Sequence, residues 1–216
     1  LALMGGSVRG QGPRVLPPLT VTGKTSLSAI HYSVPIPSAQ VKSAIMFAAL
    51  RANSISTVHE SLRTRNTTER MMSFAGIQVS STSELDGQTV AVQPGRPQAV
   101  EWDVPGDPSQ AAFWIVGALL AVDGEIEILN LDTSAERVGY FDVLRRMGAS
   151  MKVSPLGVTV SSSQLQSTII DSSDIPSVDE VPALVIASAA ATGTTVFTNM
   201  DELRHKESDR FSNSVA

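Results

Sequence analysis

Side chains that could bind anions and transfer protons are concentrated in one short segment near the end of the chain. Residues 203–210 read LRHKESDR. Lys206 and Arg210 are cations that can bind anionic oxygens, and Glu207 between them is a carboxylate that can exchange a proton. The same segment has the composition of a solvated turn that leads into a helix, because mixed charges are stable in water. The segment alone therefore permits two interpretations, a catalytic site for anionic substrates and a surface charge cluster.

Composition permits a folded core and excludes several kinds of site. The 216 residues are 42% hydrophobic with a formal net charge of −5, which allows one or two domains and predicts no general attraction to nucleic acid or anionic membranes. No cysteine is present, so disulfides and thiolate metal ligands are excluded within these residues. His31, His59 and His205 do not have the spacing of a zinc site. We therefore expect no metal.

The apolar runs are too short for a membrane helix. The longest, at 111–122, is well below the ~20 residues that a bilayer-spanning helix needs. No signal peptide is recognisable. Because Leu1 is not a natural start, we expect the chain to be an internal fragment of a longer one.

An internal repeat defines the elements that must position the charged segment. The sequences LMGGSV, FAGIQV and RMGASM begin at residues 3, 74 and 146. Each has the pattern of a helix end, a small residue at which φ can be positive, and an extended segment. A second strand, a proline-marked turn, an apolar helix and another strand follow in each copy. An interval of about 70 residues predicts a strand-helix-strand-helix unit that occurs three times. The apolar helices are predicted at 41–50, 111–121 and 183–191, and the next helices begin at Arg65, Arg137 and Arg204.

The predicted apolar helices carry polar residues mainly at their N-terminal ends. Helices that are apolar on all sides are expected to be buried, and their free N–H groups would then form sites for phosphate or carboxylate. Ordinary capping explains each end singly, and 107–110 and 177–180 have the sequence of capping boxes. A further capping box is predicted at 66–69, before the helix that follows Arg65. Both interpretations stay open here. The polar residues are Ser38, Gln40 and Lys42 in the first helix, Asp107, Ser109 and Gln110 in the second, and Asp179 and Glu180 in the third.

Five motifs give the chain a resemblance to a known enzyme family. They are SAQVKSA at 38–44, TRNTTERM at 64–71, VPGDPS at 104–109, DEVP at 179–182 and ELRHKESDR at 202–210. In this order and spacing they resemble the 5-enolpyruvylshikimate-3-phosphate synthase family. The resemblance implies an α/β (α+β), enolpyruvate transferase-like two-domain fold, built of repeated βαβαββ units around buried helices. It also implies that residues 1–103 and 104–216 are parts of the first and second domains, both incomplete.

The family transfers the enolpyruvyl (carboxyvinyl) group of phosphoenolpyruvate to the 5-hydroxyl of shikimate 3-phosphate and releases phosphate, in the shikimate pathway to chorismate and the aromatic amino acids. The resemblance implies two small-molecule substrates, no metal and no organic cofactor. It further implies a cytoplasmic monomer without nucleic-acid or membrane partners. The fragment alone is expected to be inactive, because cationic motifs of the family on both flanks lie outside it.

The resemblance assigns roles to individual residues. The implied ligands of shikimate 3-phosphate are Ser38, Ala39, Gln40 and Arg65, and Gln40 also reaches phosphoenolpyruvate. The other implied roles are proton acceptor near the 5-hydroxyl for Asp179, ligand of the substrate hydroxyls for Lys206, acid/base toward the methylene carbon for Glu207, and ligand of the phosphoenolpyruvate carboxylate for Arg210. Arginine suits these positions because its planar fork bonds two anionic oxygens at once.

A distance separates the catalytic interpretation from the surface one. If Asp179 and Glu207 act together in acid/base catalysis, their carboxylates should lie within ~10 Å of each other, with Lys206 or Arg210 nearby. The surface interpretation predicts that Glu207 faces water and that no cation is shared with Asp179. Nearby cations lower the pKa of Asp179 and weaken it as a base, until bound anionic substrates raise it again.

Two alternatives to the shikimate enzyme are considered. The first is an enzyme like UDP-N-acetylglucosamine enolpyruvyl transferase, and residues 64–70 and 206–210 argue against it because they match the shikimate enzyme. The second is a non-catalytic relic of the fold that binds phosphorylated ligands, and the presence of Asp179, Glu207 and Arg210 argues against it. Departures from the family pattern indicate a divergent member. They are Thr67 for a usual His, Ser134 and Ala135 for Asn-Pro, Gln110 for a second Ser, and His205 for a common Val.

Overall fold

A computed structural model describes residues 1–13, 15–175, 177–206 and 208–215. The chain divides into two compact units, Leu1–Trp102 and Asp103–Ala216. Whether these units are parts of two larger domains, as the resemblance implies for 1–103 and 104–216, stays a prediction. Among the described residues, none of the helices combines the length and apolar content needed to cross a membrane.

The first unit is built on a four-stranded sheet. Its elements are β1 (Ser7–Gln11), β2 (Leu16–Thr22), β3 (His31–Ser33), α1 (Ala39–Ala49), β4 (Ser56–Glu60), α2 (Thr67–Phe74), β5 (Val79–Glu84) and β6 (Gly87–Val92). β1 and β2 form a separate antiparallel hairpin, and the sheet has the order β3-β4-β6-β5. β3 and β4 are parallel, and the other pairs are antiparallel. Alternate residues of β4 and β6 are buried, as expected where one face of a sheet is covered. The core contains Met46, Ala49, Met72, Ile77, Val90 and Val92.

The second unit has two smaller sheets. Its elements are α3 (Pro108–Leu120), β7 (Glu125–Leu129), α4 (Gly139–Arg146), β8 (Ser150–Ser154), β9 (Gly157–Ser161), β10 (Ile169–Asp171), α5 (Val181–Ala190), β11 (Val196–Thr198) and α6 (Arg210–Val215). The antiparallel sheet has the order β7-β9-β8, and β10 pairs in parallel with β11. The helices cover these sheets around one core, which includes Ile115, Leu119, Phe141, Leu144, Val160, Ile170 and Leu184.

The predicted strand-helix-strand-helix repeat is confirmed, with β10, α5, β11 and α6 as its third copy. Elements β3, α1, β4, α2, β5 and β6 form one βαβαββ unit, and α3 to β9 follow the same order around a parallel bridge between Gly106 and Leu131. Gly5, Gly76 and Gly148 occupy equivalent turns with φ of 85°, 82° and 93°. Glycine adopts a positive φ readily because it has no Cβ. This requirement explains why a glycine occurs at the same place in each copy of the repeat.

The three apolar helices were expected to be buried on all sides, but each is buried on one face only. Phe47 on α1 is 55% exposed, Trp114 on α3 is 73% exposed and Ile186 on α5 is 58% exposed. Each helix packs one face against the core of its own unit, for example through Met46 and Ile115, which are fully buried. A sheet can cover only one side of a helix, so the opposite apolar side is left at the surface in the described chain.

Helix capping follows the prediction in part. Asp107 caps α3 by accepting a hydrogen bond from the Ser109 N–H at 3.0 Å, with Pro108 at the first helical position. Ser177 likewise accepts a hydrogen bond from the Asp179 N–H, whereas Asn66 makes no side-chain cap bond. The glutamates predicted to complete the boxes at 66–69 and 177–180 do not do so, because Glu69 and Glu180 turn inward to Lys42 and Ser109. A desolvated ammonium or hydroxyl binds a carboxylate more strongly than an exposed backbone N–H does.

Candidate active site

Asp179 lies where two cations converge. It belongs to a 3₁₀ turn, Val178–Glu180, that leads into α5, and the Ser177 hydroxyl donates to Asp179 Oδ2 at 3.1 Å. Arg210 Nη1 donates to Asp179 Oδ1 at 2.9 Å, and Lys206 Nζ lies 3.6 Å from the same oxygen. The predicted proximity of these cations to Asp179 is therefore confirmed. The carboxylate is held between a helix start and the side chains of Lys206 and Arg210.

The cations control the protonation of Asp179. Partial burial raises the pKa of the Asp179 carboxyl, but Lys206, the Ser177 hydroxyl and Arg210 together outweigh it, so the pKa lies below its usual range. Asp179 is therefore ionised near neutral pH. It is a weak base as long as both cations neutralise it, and a stronger one when anions bind them instead.

The segment at 203–210 divides into two parts. Arg204 Nη1 lies 3.2 Å from Asp209 Oδ2, and its guanidinium stacks 4.0 Å from the centre of the Phe211 ring. This part is a local surface cluster, as the solvated-turn interpretation predicted. Lys206 and Arg210 instead face Asp179. Glu207 lies outside the described residues, so its predicted distance from Asp179 stays a prediction.

A polar network that is buried at Glu180 and Ser109 and exposed at Asp107 adjoins Asp179. Glu180 is fully buried, and its Oε1 accepts a hydrogen bond from the Ser109 hydroxyl. Arg137 Nη2 lies 2.6 Å from Asp107 Oδ1 and 3.4 Å from Ser109 Oγ. Burial raises the pKa of the Glu180 carboxyl to about 7, although the Ser109 hydrogen bond opposes the shift. Because this network ties the turn at 178–180 to the N-terminus of α3, it fixes where Asp179 stands.

Three predicted substrate ligands of the first unit share one helix start. Ser38 is the N-cap of α1, and its hydroxyl accepts a hydrogen bond from the Val41 N–H at 3.3 Å. Ala39 and Gln40 form the first helical turn, and the Gln40 side chain is exposed. Free N–H groups and the positive end of the helix dipole make such a turn suitable for an anion.

The repeat-related arginines differ in their partners. Arg137 is paired with Asp107, and Arg204 is paired with Asp209. Arg65 is exposed and has no hydrogen-bond or ion-pair partner among the described residues. Of the three, Arg65 is therefore the one whose guanidinium is available to a phosphate without breaking an internal ion pair.

Sequence reasoning missed a buried ion cluster in the first unit. Lys42, expected at the polar end of α1, is fully buried, and its Nζ lies 3.1 Å from Glu60 Oε1 and 2.7 Å from Glu69 Oε1. Two signals could have revealed the cluster. Lys42 is a single cation inside the apolar segment 41–50, and Glu60 follows Ser56 and Val58 in the buried alternation of β4.

One group of side chains in the described part of the chain has metal-ligand chemistry. His59, Glu84 and Asp86 lie close together in the first unit. Glu84 faces His59 Nδ1 at 3.8 Å, whereas Asp86 faces Nε2 at 3.9 Å. One ligand atom from each residue lies within 4.8 Å of the others, but Glu84 and Asp86 are exposed, and exposed acidic groups commonly lie together without an ion, so the cluster alone does not indicate a metal site. The expected absence of a metal stays a prediction.

Comparison with known proteins gives one consistent family. The family model described as EPSP synthase (3-phosphoshikimate 1-carboxyvinyltransferase) matches residues 1–216. The 3-phosphoshikimate 1-carboxyvinyltransferase of Listeria monocytogenes is 38% identical over 221 residues, which cover 97% of this chain and 51% of that protein. The enzyme of the same name from Streptococcus thermophilus is 39% identical over 219 residues, covering 97% and 50%.

Solved structures agree with this result. EPSP synthase from Acinetobacter baumannii matches with a TM-score of 0.81 and 33% identity, covering 99% of this chain and 50% of that chain. The enolpyruvyl transferase NikO from Streptomyces tendae matches with a TM-score of 0.69 over 91% of this chain and 49% of its own. At 19% identity, the second match shows the fold alone. The chain spans about half the length of the curated relatives it matches.

Proposed function

The chain belongs to the EPSP synthase family, and we propose that the protein transfers the enolpyruvyl group of phosphoenolpyruvate to the 5-hydroxyl of shikimate 3-phosphate and releases phosphate. The observation that carries the proposal is the convergence of Lys206 and Arg210 on Asp179 in a chain that matches this family throughout. Because the matched relatives are about twice as long, the reaction is proposed for the full-length gene product that contains these residues.

Shikimate 3-phosphate is proposed to bind between the start of α1 and the loop before α2. Ser38, Ala39 and Gln40 would supply polar groups of the helix start, and Arg65 would supply a fork of donors to the phosphate. The exposed, unpaired state of Arg65 within the described residues supports this role. A bidentate bond between guanidinium and phosphate is both strong and directional.

Phosphoenolpyruvate is proposed to activate Asp179 by competing for its cations. In the free protein Arg210 and Lys206 neutralise Asp179 and hold its pKa low. The phosphoenolpyruvate carboxylate would take the Arg210 fork, and the hydroxyls of shikimate 3-phosphate would bind Lys206. The pKa of Asp179 would then rise, and its carboxylate would accept the proton of the 5-hydroxyl. Base strength would thus appear only when both substrates are present.

The remaining roles are part of the same proposal. Glu207, outside the described residues, is proposed as the acid/base toward the methylene carbon. Neither a metal nor an organic cofactor is proposed, because cationic side chains supply the charge neutralisation that this transfer needs. A monomer acting on small molecules in the cytoplasm completes the proposal.

Phosphate release tests the function directly. The full-length gene product should release phosphate from phosphoenolpyruvate only when shikimate 3-phosphate is added. Unphosphorylated shikimate is the matched control for the Arg65 contact, and UDP-N-acetylglucosamine is the control for the cell-wall alternative. Release that depends on the UDP-sugar would contradict the proposal, and no release with any acceptor would favour the non-catalytic relic.

A further inference from the structure

The buried ion cluster of the first unit is connected to the loop that carries Arg65. Besides their ion pairs, the side chains of Lys42 and Glu60 form hydrogen bonds to Thr64, which directly precedes Arg65. The Thr64 N–H donates to Glu60 Oε1 at 3.0 Å, and the Thr64 hydroxyl donates to Glu60 Oε2 at 2.8 Å. Lys42 Nζ donates to the Thr64 carbonyl oxygen at 3.4 Å. Both backbone polar groups of Thr64 are therefore bound by buried side chains.

Core stability does not explain why charges occupy these positions. Well-packed apolar side chains of similar volume are often as stabilising as a buried ion pair. Apolar side chains could not, however, bind the N–H and carbonyl groups of a loop, which must be satisfied when they are removed from water. The hydrogen bonds from Lys42 and Glu60 therefore fix the position of the loop at 61–66 relative to α1.

We infer that Glu60 and Lys42 are positioning residues, which hold the Arg65 loop against the helix whose first turn contains Ser38 and Gln40. The inference rests on the proposed function, in which both segments bind shikimate 3-phosphate. Lys42 lies on α1 itself, so it connects the two segments through a single side chain.

Neighbouring residues of the loop then have different tasks. The Thr64 hydroxyl is committed as a donor to Glu60 and anchors the loop. Arg65 is left exposed, with its guanidinium available for the phosphate. A loop that is already ordered loses less conformational entropy on binding, so Glu60 contributes to substrate affinity without contact with the substrate.

Two variants of the full-length gene product test the inference. Glu60→Gln keeps the volume of the side chain and removes its charge. Thr64→Val removes only the hydroxyl donor, and Thr64 is half-buried rather than part of the core. Ser56→Ala is the matched control, because Ser56 is 1% exposed on the same strand β4 and its hydroxyl binds the Ile30 N–H at 3.2 Å, away from the loop.

We expect both loop variants to raise the KM for shikimate 3-phosphate by about 5- to 50-fold, with kcat and the KM for phosphoenolpyruvate changed by less than about threefold. In Glu60→Gln, the Thr64 N–H should also exchange with solvent faster than in the unaltered protein. Ser56→Ala should leave the KM for shikimate 3-phosphate unchanged, even if its melting temperature falls as much as that of the loop variants.

Two results would overturn the inference. The first is an equal rise in the KM for shikimate 3-phosphate and the KM for phosphoenolpyruvate in the two loop variants. The second is a rise in the KM for shikimate 3-phosphate in Ser56→Ala as large as that in a loop variant with the same loss of melting temperature. Calorimetric titration of the unaltered protein with shikimate 3-phosphate separates the inference from the proposed function. No binding contradicts the proposed function and the positioning role with it. Binding that is the same in Glu60→Gln and Thr64→Val contradicts the positioning role alone.

Discussion

Asp179 and Glu180 are adjacent in the chain, but their carboxylates have opposite environments. The Asp179 side chain is 39% exposed and paired with two cations, whereas Glu180 is fully buried against Ser109. Cations hold the pKa of Asp179 below its usual range, and burial raises that of Glu180 to about 7. Their effects on stability therefore fall in separate pH ranges. The contribution of Asp179 is present above its usual pKa and is lost at lower pH, as the carboxylate is protonated.

Glu180 should make the protein less stable as the pH rises. Between its usual pKa of 4.5 and about 7, the folded state keeps a proton that the unfolded state releases. The free energy of unfolding should therefore fall by up to about 3 kcal/mol across this range and stay constant above it. Denaturant titrations at about pH 5 and about pH 8 would measure the difference.

Glu180→Gln should remove most of this pH dependence, because the amide cannot ionise and can still accept the Ser109 hydrogen bond. Glu127→Gln, on the exposed strand position of β7, is the control and should leave the pH dependence unchanged. An unaltered slope in Glu180→Gln would show that Glu180 is ionised in the folded protein.

Arg210→Ala in the full-length gene product should weaken phosphoenolpyruvate binding selectively. Loss of a charge-assisted contact, ~1.5–3 kcal/mol, corresponds to a rise of about 10- to 150-fold in the KM for phosphoenolpyruvate. The KM for shikimate 3-phosphate should change much less. Arg204→Ala is the matched control in the same segment, since Arg204 pairs with Asp209 and not with Asp179. Similar effects of the two variants would assign Arg210 to structure.

Asp179→Asn should lower kcat by about 10²- to 10⁴-fold, the usual contribution of a general base. The amide keeps the size of the carboxylate, so substrate binding should be affected less than turnover. Glu202→Gln tests whether any acidic partner of Lys206 has this effect, since Glu202 Oε1 lies 3.2 Å from its Nζ. A kcat near that of the unaltered protein in Asp179→Asn would exclude Asp179 as the base.

Arg65→Ala should raise the KM for shikimate 3-phosphate by about 10- to 150-fold, because the phosphate loses a charge-assisted contact. The KM for phosphoenolpyruvate should change far less. Arg70→Ala provides the control, since Arg70 is also exposed and lies further along α2. Steady-state kinetics with each substrate varied in turn would measure both constants. Equal weakening toward both substrates would indicate that Arg65 has a structural role.

The sequence by itself determined the repeat and the family. Glycines at 5, 76 and 148 mark turns that need a positive φ, and that requirement is local to each turn. The strands at 56–60 and 125–129 follow from alternation, which is also local. Motif order along 38–210 was sufficient to identify the family that the comparisons then gave.

Only the tertiary structure decided which charges meet. Glu69 and Glu180 have the sequence context of capping residues, yet each turns inward to a partner far away in the chain, Lys42 or Ser109. Arg65 and Arg204 also occupy equivalent positions of the repeat. Of these two, only Arg204 forms an ion pair with an acidic side chain among the described residues. Periodicity reports which face of an element is apolar. The choice between water, a backbone N–H and a buried counter-charge depends on packing between residues distant in sequence, which local patterns do not record.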